Sequence, residues 1–571
     1  MAADQTIETL ATKDVPVPLS DGTTLLADVY RPGDDQRYPV ILARTPYGKS
    51  APMKQAWPLD VATAGFVLVM QDVRGTAASG GEFTPFVNEA VDGADSVRWC
   101  AQQPWSDGRV IMLGGSYLAL TQLLAASRPA PGLVAIAPGI TPFDFYEDFL
   151  YPGGAFHLGT MMWWSHVLSV LQLLRKVGTE DVGALFQSWA QMGDAMSDWQ
   201  RTMPLTDVPL FRELVPAWGD WLGHPTRDGY WEALSVRDRV PKITVPAMVQ
   251  GGWFDVFLKG TLDAYTAIRG GAGQGVARER TRLIIGPWSH ATGDRVLGEL
   301  DFGFSSSEMS MQMWPRYLDY FRECLGEGGP VSGAPVKLFV MGANVWRDEQ
   351  EWPLERAVTT KYYLHSGGGL SAERPLVEAT PSTYVYDPRD PVPSTGGRTL
   401  LPGDNIAFRA GPRDQRAVEE RPDVVCFSTE VLDEDIEVTG PVEVVLHAAS
   451  SAVDTDWTAK LVDVHPDGRA MSVADGILRA RYREGFERPV LMKPGTPYRF
   501  VIDLVATSMV FKAGHRIRVE ISSSNFPRFD RNPNTGRLPA EELETNMISA
   551  EQTLFHDAAR PSWIALPIVA S

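Results

Sequence analysis

The stretch that most constrains the fold of this chain is GRVIMLGGSYLALTQLLAAS, which runs from Gly108 to Ser127. Val110 to Leu113 form a short apolar run, typical of a strand buried on both faces, and Leu118 to Ala126 are good helix formers. Ser116 is therefore predicted to lie in a sharp turn between a strand and a helix. Such a turn presents a serine hydroxyl at a helix N-terminus, where free backbone N–H groups can stabilise an oxyanion.

The residues around Ser116 depart in one place from the usual nucleophile turn. Gly114 and Gly115 give the bend the backbone freedom that a side chain would deny it. The common pattern is G-x-S-x-G, but Leu118 occupies the second glycine position and the next small residue is Ala119. Taken alone, this turn fits a nucleophile and a purely structural Gly-Gly-Ser bend equally well.

Two later strands end in residues that complete a catalytic set. The run VPAMVQGGWFD ends at Asp255, and RLIIGPWSH delivers His290 just past its apolar segment. Open α/β sheets place catalytic groups at the carboxyl ends of their strands, and α/β-hydrolases use the order Ser, Asp, His. A single Asp or His after a strand is more often a loop residue or a helix cap. The joint placement predicts a triad of Ser116, Asp255 and His290.

The alternation of elements predicts an α/β fold, specifically an α/β-hydrolase domain that is split by a helical cap insertion and followed by a β jelly roll. Residues 1–144 alternate strands and helices, and the same pattern resumes over 241–352, so these segments form the two parts of the hydrolase domain. Residues 145–240 are helical and rich in Trp and Met, which favours a cap domain. Residues 353–571 contain many short strands with turn signals, typical of a jelly-roll β-sandwich.

Charge and hydropathy argue against several partners. A formal net charge of −19 at pH 7 would repel the phosphates of nucleic acids and anionic membranes. The first residues, MAADQTIETLATKD, show no basic region followed by an apolar core, and no apolar run approaches the length of a membrane span. We therefore expect a cytoplasmic protein without nucleic-acid or membrane partners.

Cysteine and histidine usage predicts no metal and no cofactor. The chain has three cysteines, which lie far apart without C-x-x-C spacing, so neither a disulfide framework nor a zinc cluster is indicated. In the predicted β domain, His447, His465 and His515 have no acidic cluster at metal-binding spacing. In the predicted cap, His157 and His166 do not share a helix face at ligand spacing.

Several motifs carry a family resemblance. RTPYGK, QDVRGTAASGGEF, GGSYLALTQ, GGWFDVF, IIGPWSH and LFVMGANVWRDEQEWPL occur in this order, followed by SSAVDTDWTAKLVDVHPDGRA and SSSNFPRFDRNPNTG. Together they resemble the cocaine-esterase-like acyl hydrolases (CocE/NonD family) of the X-prolyl dipeptidyl-peptidase superfamily, over nearly the whole chain. The resemblance implies an α/β-hydrolase domain, a helical cap and a jelly roll.

The resemblance also implies roles for individual residues. Ser116 matches the nucleophile, Asp255 the triad acid and His290 the base. Tyr47, in RTPYGK, matches a tyrosine whose hydroxyl completes the oxyanion hole together with the backbone N–H of Tyr117. The family pattern is G-x-S-Y-x-G, so the true departure of this chain is Ala119 in place of glycine.

The same resemblance describes the substrate pocket. Phe257 and Trp164 are expected to line an acyl pocket, whereas Leu150 and Pro402 stand where the resembled esterase has Trp and Phe. A pocket with fewer aromatics would bind a benzoyl group less well, so we expect small or aliphatic acyl esters to be equally plausible substrates. Asp72 and Arg74 are expected to form an internal ion pair, and a homodimer is compatible with the resemblance alone.

The predicted function is hydrolysis of small-molecule acyl esters by a serine carboxylesterase, through a Ser-His-Asp triad and an acyl-enzyme intermediate. Two alternatives in the same superfamily, an α-amino-acid ester hydrolase or β-lactam acylase and an X-prolyl dipeptidyl-peptidase, would need carboxylates gathered to bind a substrate ammonium group. No compact carboxylate set stands out near the motifs. An alternative of another class is a non-catalytic carbohydrate-binding or scaffolding protein.

Overall fold

The computed structural model describes residues 8–50, 58–272, 275–327, 329, 333–402 and 410–570. Within these ranges the chain forms two large sheets, a ten-stranded sheet in the N-terminal part and an eleven-stranded sheet in the C-terminal part. No helix in the same ranges combines the length and the apolar composition that a membrane span requires.

The first part of the chain alternates strands with helices. The elements are β1 (Thr9–Pro18), β2 (Thr24–Pro32), β3 (Tyr38–Thr45), α1 (Pro58–Thr63), β4 (Val67–Asp72), α2 (Glu89–Ala101), β5 (Ser106–Gly115), α3 (Tyr117–Ala126) and β6 (Leu133–Gly139). Helices alone follow until the next strand of this sheet. They are α4 (Leu158–Lys176), α5 (Gly183–Asp194), α6 (Met196–Trp199), α7 (Pro209–Leu214), α8 (Ala217–Gly223) and α9 (Gly229–Leu234).

The strand pattern then resumes and completes the ten-stranded sheet. The elements are β7 (Met248–Phe254), α10 (Leu258–Ala267), α11 (Val276–Arg280), β8 (Arg282–Ser289), β9 (Val296–Leu297), β10 (Leu300–Asp301), α12 (Met313–Cys324), β11 (Val336–Val340) and β12 (Val345–Glu349). The strand order is β1-β2-β4-β3-β5-β6-β7-β8-β11-β12. Along this order the strands from β4 to β11 are parallel, so their carboxyl ends meet at one edge of the sheet. Strands β9 and β10 lie outside it and pair with each other in a two-stranded antiparallel sheet.

Both faces of this sheet are covered, which explains why its strands read as continuous apolar runs. Successive side chains of a strand point to opposite faces. In β3, Val40 and Leu42 accordingly join the core cluster that contains residues of α2 and α3. Ile41 and Ala43 join a second cluster, which contains Tyr317 and other residues of α12.

The C-terminal part is rich in strands, and almost all of its strand pairs are antiparallel. The elements are β13 (Ala357–His365), β14 (Gly369–Ser371), β15 (Ser382–Tyr386), α13 (Arg416–Glu419), β16 (Val425–Ser428), β17 (Ile436–Ser450), β18 (Asp456–Val464), β19 (Ala470–Arg479), β20 (Tyr498–Phe511), β21 (Arg516–Ser522), β22 (Ala550–Phe555) and β23 (Trp563–Val569). An α/β domain followed by a β-rich domain was predicted from the sequence, and this arrangement is confirmed.

A buried polar cluster fastens the β-rich domain to the helical segment. The Phe156 N–H donates to the Asp530 carboxylate over 2.9 Å, and the Asp530 N–H donates to the Phe156 carbonyl over 2.9 Å. The Arg479 guanidinium donates to Asp530 over 2.7 Å and to Asp456 over 2.9 Å. These four residues hold the segment before α4 in a fixed position against the β domain.

Candidate active site

Ser116 occupies the turn between β5 and α3 in a strained backbone conformation. Its φ is 61° and its ψ is −124°, values that cost a non-glycine residue about 1–3 kcal/mol. The turn is held by the Ser116 N–H, which donates to the Gly139 carbonyl over 2.9 Å, and by the Ser116 carbonyl, which accepts from the Ala119 N–H over 2.9 Å. Gly114 has a φ of 141°, and a Cβ there would lie 2.6 Å from the Cβ of Leu118.

The structure brings Ser116, Asp255 and His290 together at the carboxyl edge of the parallel sheet. Asp255 follows the last residue of β7, and His290 follows the last residue of β8. The Ser116 Oγ lies 2.9 Å from His290 Nε2, and His290 Nδ1 lies 3.0 Å from Asp255 Oδ2. The three side chains therefore form a continuous hydrogen-bonded chain.

The imidazole of His290 is held in place by two groups besides Ser116. Asp255 is fully buried, and its second oxygen, Oδ1, accepts from the Phe257 N–H over 2.6 Å. The ring of Phe257 meets the imidazole edge-on, at a centroid distance of 5.1 Å and an interplanar angle of 89°. Asp255 and Phe257 together fix the orientation of the His290 imidazole.

Tyr47 places a protonated hydroxyl at the site. Its oxygen accepts a hydrogen bond from the Trp164 indole over 3.1 Å, which leaves its own proton available to another acceptor. Burial raises the pKa of Tyr47 to about 12, an effect that the hydrogen bond from Trp164 only partly offsets. The backbone N–H of Tyr117, in the first turn of α3, has no acceptor within the helix. Tyr47 and Tyr117 both line the cavity beside Ser116, so each brings a hydrogen-bond donor to the same site.

The Tyr117 side chain ties the nucleophile turn to a buried ion pair that sequence reasoning missed. Its hydroxyl donates to Glu89 over 2.8 Å and accepts from the Phe86 N–H over 3.1 Å. Glu89 in turn pairs with the fully buried Arg44 over 2.6 Å. Burial, reinforced by the Glu89 charge, raises the pKa of Tyr117 well above its ordinary value. Partners so distant in the chain leave no local signal in the sequence.

A cavity of about 490 Å³ opens beside Ser116. Trp164 and Phe257, the two residues expected in the acyl pocket, both line it. Its described lining consists of Thr45, Tyr47, Gly48, Met70, Phe86, Gly115, Ser116, Tyr117, Leu118, Ile140, Pro142, Phe149, Thr160, Trp163, Trp164, Val167, Phe257, His290, Ala291 and Leu400. None of these is an acidic or basic side chain apart from His290, so the cavity is predominantly apolar.

Leu150 and Pro402 do not lie at the cavity, contrary to the expectation that they stand at two positions of the pocket. The described lining contains Phe149 and Leu400 and neither of those two residues. Leu150 is the last residue of a π-helical turn, Tyr146–Leu150, and its side chain is buried in the core. The turn presents Phe149 to the cavity, where its ring meets Phe257 edge-on at 4.9 Å.

Two further expectations are corrected by the structure. Asp72 and Arg74 do not pair with each other, because Asp72 contacts Lys49 and Arg74 forms a two-pronged ion pair with Asp92. His465 and His515 do have an acidic neighbour, since Asp463 lies between them. The first expectation was wrong because the sequence does not show which strands and helices pack together. The second was wrong because the sequence does not show the register in which the strands pair.

Two family models match the chain, in the same order as the two domains. The model of the X-Pro dipeptidyl-peptidase (S15 family) matches residues 21–292. The model of the X-Pro dipeptidyl-peptidase C-terminal non-catalytic domain matches residues 332–565.

Individual relatives match over almost their whole length. A cocaine esterase of Rhodococcus sp. is 40% identical over 97% of this chain and 98% of its own. The solved structure of an aminopeptidase from a marine sediment Thaumarchaeota archaeon is 25% identical, with a TM-score of 0.84 and coverage of 99% of this chain and 97% of its own. A solved α-amino acid ester hydrolase is 26% identical, with a TM-score of 0.83 and coverage of 100% and 98%. The family resemblance of the motifs is thus confirmed: the chain belongs to the X-Pro dipeptidyl-peptidase (S15) family and is a homologue of cocaine esterase.

Proposed function

We propose that this protein is a serine carboxylesterase that hydrolyses small-molecule acyl esters through an acyl-enzyme on Ser116. The observation that carries the proposal is the hydrogen-bonded chain from Ser116 through His290 to Asp255, at the wall of an aromatic cavity. Membership in a family of serine hydrolases supports the same class of chemistry. Neither a metal nor a cofactor is needed for this reaction.

In the acylation step His290 acts as the base. Asp255 accepts a hydrogen bond from the Nδ1–H of the imidazole, so that the unprotonated Nε2 can take the proton of the Ser116 hydroxyl. The serine oxygen attacks the ester carbonyl carbon, and the Tyr47 hydroxyl and the Tyr117 N–H donate to the resulting oxyanion. When the carbon–oxygen bond to the alcohol breaks, His290 returns its proton to the leaving alcohol oxygen.

Deacylation repeats these roles with water as the nucleophile. His290 takes a proton from water, and the hydroxyl oxygen attacks the acyl carbon of the Ser116 ester. The bond to the serine oxygen then breaks, the proton passes from His290 to Ser116, and the carboxylic acid is released. The same two donors stabilise the oxyanion in both steps, so their loss slows both.

The lining of the cavity supports an uncharged acyl group, aromatic or bulky aliphatic. Beside the triad, the Phe149 ring contacts those of both Trp164 and Phe257, at centroid distances of 5.5 Å and 4.9 Å. Recognition of a substrate ammonium group would need a carboxylate, and none of the described lining residues is acidic. An acyl ester is therefore favoured over an amino-acid ester or a peptide N-terminus.

The proposal also includes the boundaries and the fold type of the individual domains. We infer that residues 145–240 form a cap domain over the site, because α4 contributes Thr160, Trp163, Trp164 and Val167 to the cavity wall. Residues 1–144 and 241–352 would then form the two parts of the hydrolase domain. Residues 353–571 would form a jelly roll, supported by the long antiparallel pairing of β17 with β20 and of β18 with β21.

Replacement of the nucleophile tests the proposal. The Ser116→Ala protein should lose labelling by a fluorophosphonate probe, and kcat should fall by about 10⁴-fold or more. Ser127→Ala is the matched control, because the Ser127 hydroxyl bonds only the Leu124 carbonyl at the end of α3 in the described structure. A Ser116→Ala protein that still labels stoichiometrically would contradict the proposal.

A hydrolysis panel separates the alternatives. Aryl, alkyl and amino-acid esters and anilides are compared on the wild-type protein, beside Ser116→Ala. We expect the aryl and alkyl esters to have the highest kcat/KM. A preference for α-amino esters or dipeptide anilides would indicate an amino-ester hydrolase or a peptidase, and a wild-type protein inactive on the whole panel would indicate a binding role.

A further inference from the structure

Two histidines and an aspartate meet at the end of a strand pair in the β domain, about which the proposed function says nothing. Strands β18 and β21 are antiparallel neighbours, with Asp463 opposite Ile517 and Val464 opposite Arg516. His465 follows β18 and His515 precedes β21, so this register sets the two imidazoles side by side. Their ring centroids are 4.5 Å apart.

The main chain holds both histidines in place. The His465 N–H donates to the Arg469 carbonyl over 2.8 Å, and the Gly468 N–H donates to the His465 carbonyl over 2.9 Å. The His515 N–H donates to the Lys512 carbonyl over 3.0 Å. Each histidine therefore belongs to a closed turn, and the two rings are positioned before any ligand binds.

The Asp463 carboxylate lies between the two rings. Its Oδ1 is 2.8 Å from His515 Nδ1, and its Oδ2 is 3.3 Å from His465 Nε2. One ligand atom from each of the three residues lies within 4.8 Å of the other two. Two ligands that are each about 2.0 Å from a tetrahedral ion are roughly 3.3 Å apart, so only small shifts would bring all three onto one ion.

The cluster faces an internal space. A cavity of about 190 Å³ is lined by all three residues, and Phe254 and Phe302 of the α/β domain also line it. Lys512 also lines this cavity, but its ammonium is paired with Asp435 over 2.9 Å. The space leaves room for a water molecule as a fourth ligand.

We propose that Asp463, His465 and His515 bind one Zn²⁺ ion, with water in the fourth position. Two imidazoles and one carboxylate suit Zn²⁺, whereas Mg²⁺ and Ca²⁺ favour oxygen ligands alone. Each imidazole binds the ion through an unprotonated nitrogen and carries its proton on the other nitrogen, and Asp463 balances part of the charge of the ion. Because ion binding favours the folded state, occupancy stabilises the β domain.

The site lies on the seam between the two domains, close to but separate from the catalytic set. Phe254 lines the cavity and directly precedes Asp255, the proposed triad acid. The ion supplies no step of ester hydrolysis. Its role is structural, so the Ser116→Ala protein should bind Zn²⁺ as well as the wild type, and the outcome is independent of the proposed function.

Calorimetric titration of the chelator-treated full-length protein with Zn²⁺ tests the site. We expect one Zn²⁺ per chain and a rise in Tm on addition of Zn²⁺ but not of Mg²⁺. Loss of an outer-shell partner reduces metal affinity by about 10- to 100-fold. Because His465 and His515 bind the ion directly, His465→Gln and His515→Gln should each reduce Zn²⁺ affinity by more than this. His447→Gln is the control, because the His447 ring bonds the Pro561 carbonyl elsewhere in the β domain.

Two results would overturn the proposal. Absence of Zn²⁺ uptake by the wild type would leave Asp463 as a hydrogen-bond acceptor shared by two imidazoles. Zn²⁺ uptake of unchanged affinity in the folded double variant would place the ion elsewhere. If the variants do not fold, Co²⁺ is added to the wild type instead. A four-coordinate Co²⁺ site gives strong visible absorption, which Zn²⁺ should abolish by displacing the Co²⁺. Absence of this absorption would contradict the proposed site.

Discussion

At the residue scale, one hydrogen bond connects the proposed oxyanion donor to the wall of the acyl cavity. The Trp164 indole donates to the Tyr47 hydroxyl, and the same indole stacks on Trp221 with a centroid distance of 5.6 Å. The position of the phenolic oxygen thus depends on α4, the helix that lines the proposed substrate cavity. A substrate that displaces Trp164 would also displace the donor, which couples acyl-group fit to transition-state stabilisation.

Replacing Tyr47 with phenylalanine should remove one oxyanion donor and leave the cavity shape intact. We expect Tyr47→Phe to lower kcat by about 10²- to 10³-fold, the usual cost of losing one such donor, with little change in KM. Steady-state kinetics on a p-nitrophenyl ester measure both constants. Tyr38→Phe serves as the control, since the Tyr38 hydroxyl bonds the exposed Asp34. Equal kcat values for Tyr47→Phe and wild type would remove Tyr47 from the mechanism.

The raised pKa of Tyr47 predicts the alkaline behaviour of the enzyme. The ordinary pKa of tyrosine is about 10. Because burial raises the pKa of Tyr47 to about 12, its phenol should keep its proton and remain a hydrogen-bond donor as the pH rises above 10. Activity should therefore stay level up to about pH 10 and fall only as the pH approaches 12. The same shift stabilises the folded state fully below about pH 10, and this contribution is lost as pH rises toward 12.

A pH–rate profile, with fluorescence as a check that the protein stays folded, measures this behaviour. The Tyr47→Phe protein provides the comparison, because its residual activity should lack the alkaline decline. A loss of wild-type kcat centred near pH 10 in folded protein would show that the Tyr47 phenol titrates normally.

At the element scale, the strand-to-helix turn explains why Ala119 can replace the family glycine. Ala119 is fully buried in the first turn of α3, and its N–H donates to the Ser116 carbonyl. The tight position of the turn is Gly114, whose positive φ and close approach to Leu118 leave no space for a side chain. The backbone conformation of Ser116, the proposed nucleophile, thus depends on Gly114 and does not need glycine at position 119.

Ala119→Gly should accordingly restore the family residue without improving catalysis. We expect the free energy of unfolding to fall by about 1 kcal/mol, because glycine costs a helix this much relative to alanine. The kcat/KM should change by less than about threefold, a difference of under 1 kcal/mol in the barrier. Denaturant unfolding and ester kinetics measure the two effects. Gly114→Ala, by contrast, should lose most activity, and a tenfold faster Ala119→Gly enzyme would contradict this account.

The sequence predicted those parts of the molecule that depend on strand ends. Ser116, Asp255 and His290 each follow an apolar run, and the carboxyl ends of parallel strands meet at one edge, so their proximity could be expected. Tyr47 was found only through the family resemblance, since a loop tyrosine has no distinguishing pattern. The division into an α/β domain and a β-rich domain could be predicted, because alternating strands and helices give way along the chain to many short strands separated by turns.

What the sequence could not predict depends on register and on long-range packing. The Asp463, His465 and His515 cluster requires the pairing of β18 with β21, which a shift of one residue would abolish. Phe149 faces the cavity in place of Leu150 because of a π-helical turn, and no local propensity distinguishes the two. The Arg44–Glu89 pair joins residues of a strand and a helix that lie far apart in sequence.

At the scale of the whole molecule, the β domain supports the segment that leads into the cavity wall. Gly153, with a φ of 58°, lies so close to β19 that a Cβ there would be 1.8 Å from the Ile477 carbonyl oxygen. A few residues further on, Phe156 exchanges two hydrogen bonds with Asp530. Phe149 and Trp164 lie on either side of this anchored stretch. The shape of the cavity therefore depends on contacts with the β domain.

Removal of the Arg479 charge should weaken this support throughout the molecule. Arg479 is 2% exposed and bridges the buried carboxylates of Asp456 and Asp530. Arg479→Met leaves two buried acids without their counter-ion, and we expect the free energy of unfolding to fall by about 3–5 kcal/mol. The control is Arg212→Met, which breaks an exposed pair with Asp207 and should change stability by less than about 0.5 kcal/mol.

The course of unfolding tests whether the two domains depend on each other in this way. The anchored stretch joins the β domain to the cavity wall. On heating, the Arg479→Met protein should therefore lose esterase activity at the temperature of its calorimetric unfolding transition, and both temperatures should be lower than in the wild type. Calorimetry and residual activity are measured on the same samples. If the β-domain transition moved down while activity persisted to the wild-type temperature, the cavity would be independent of the β domain, and the structural role assigned to Asp530 and Arg479 would be wrong.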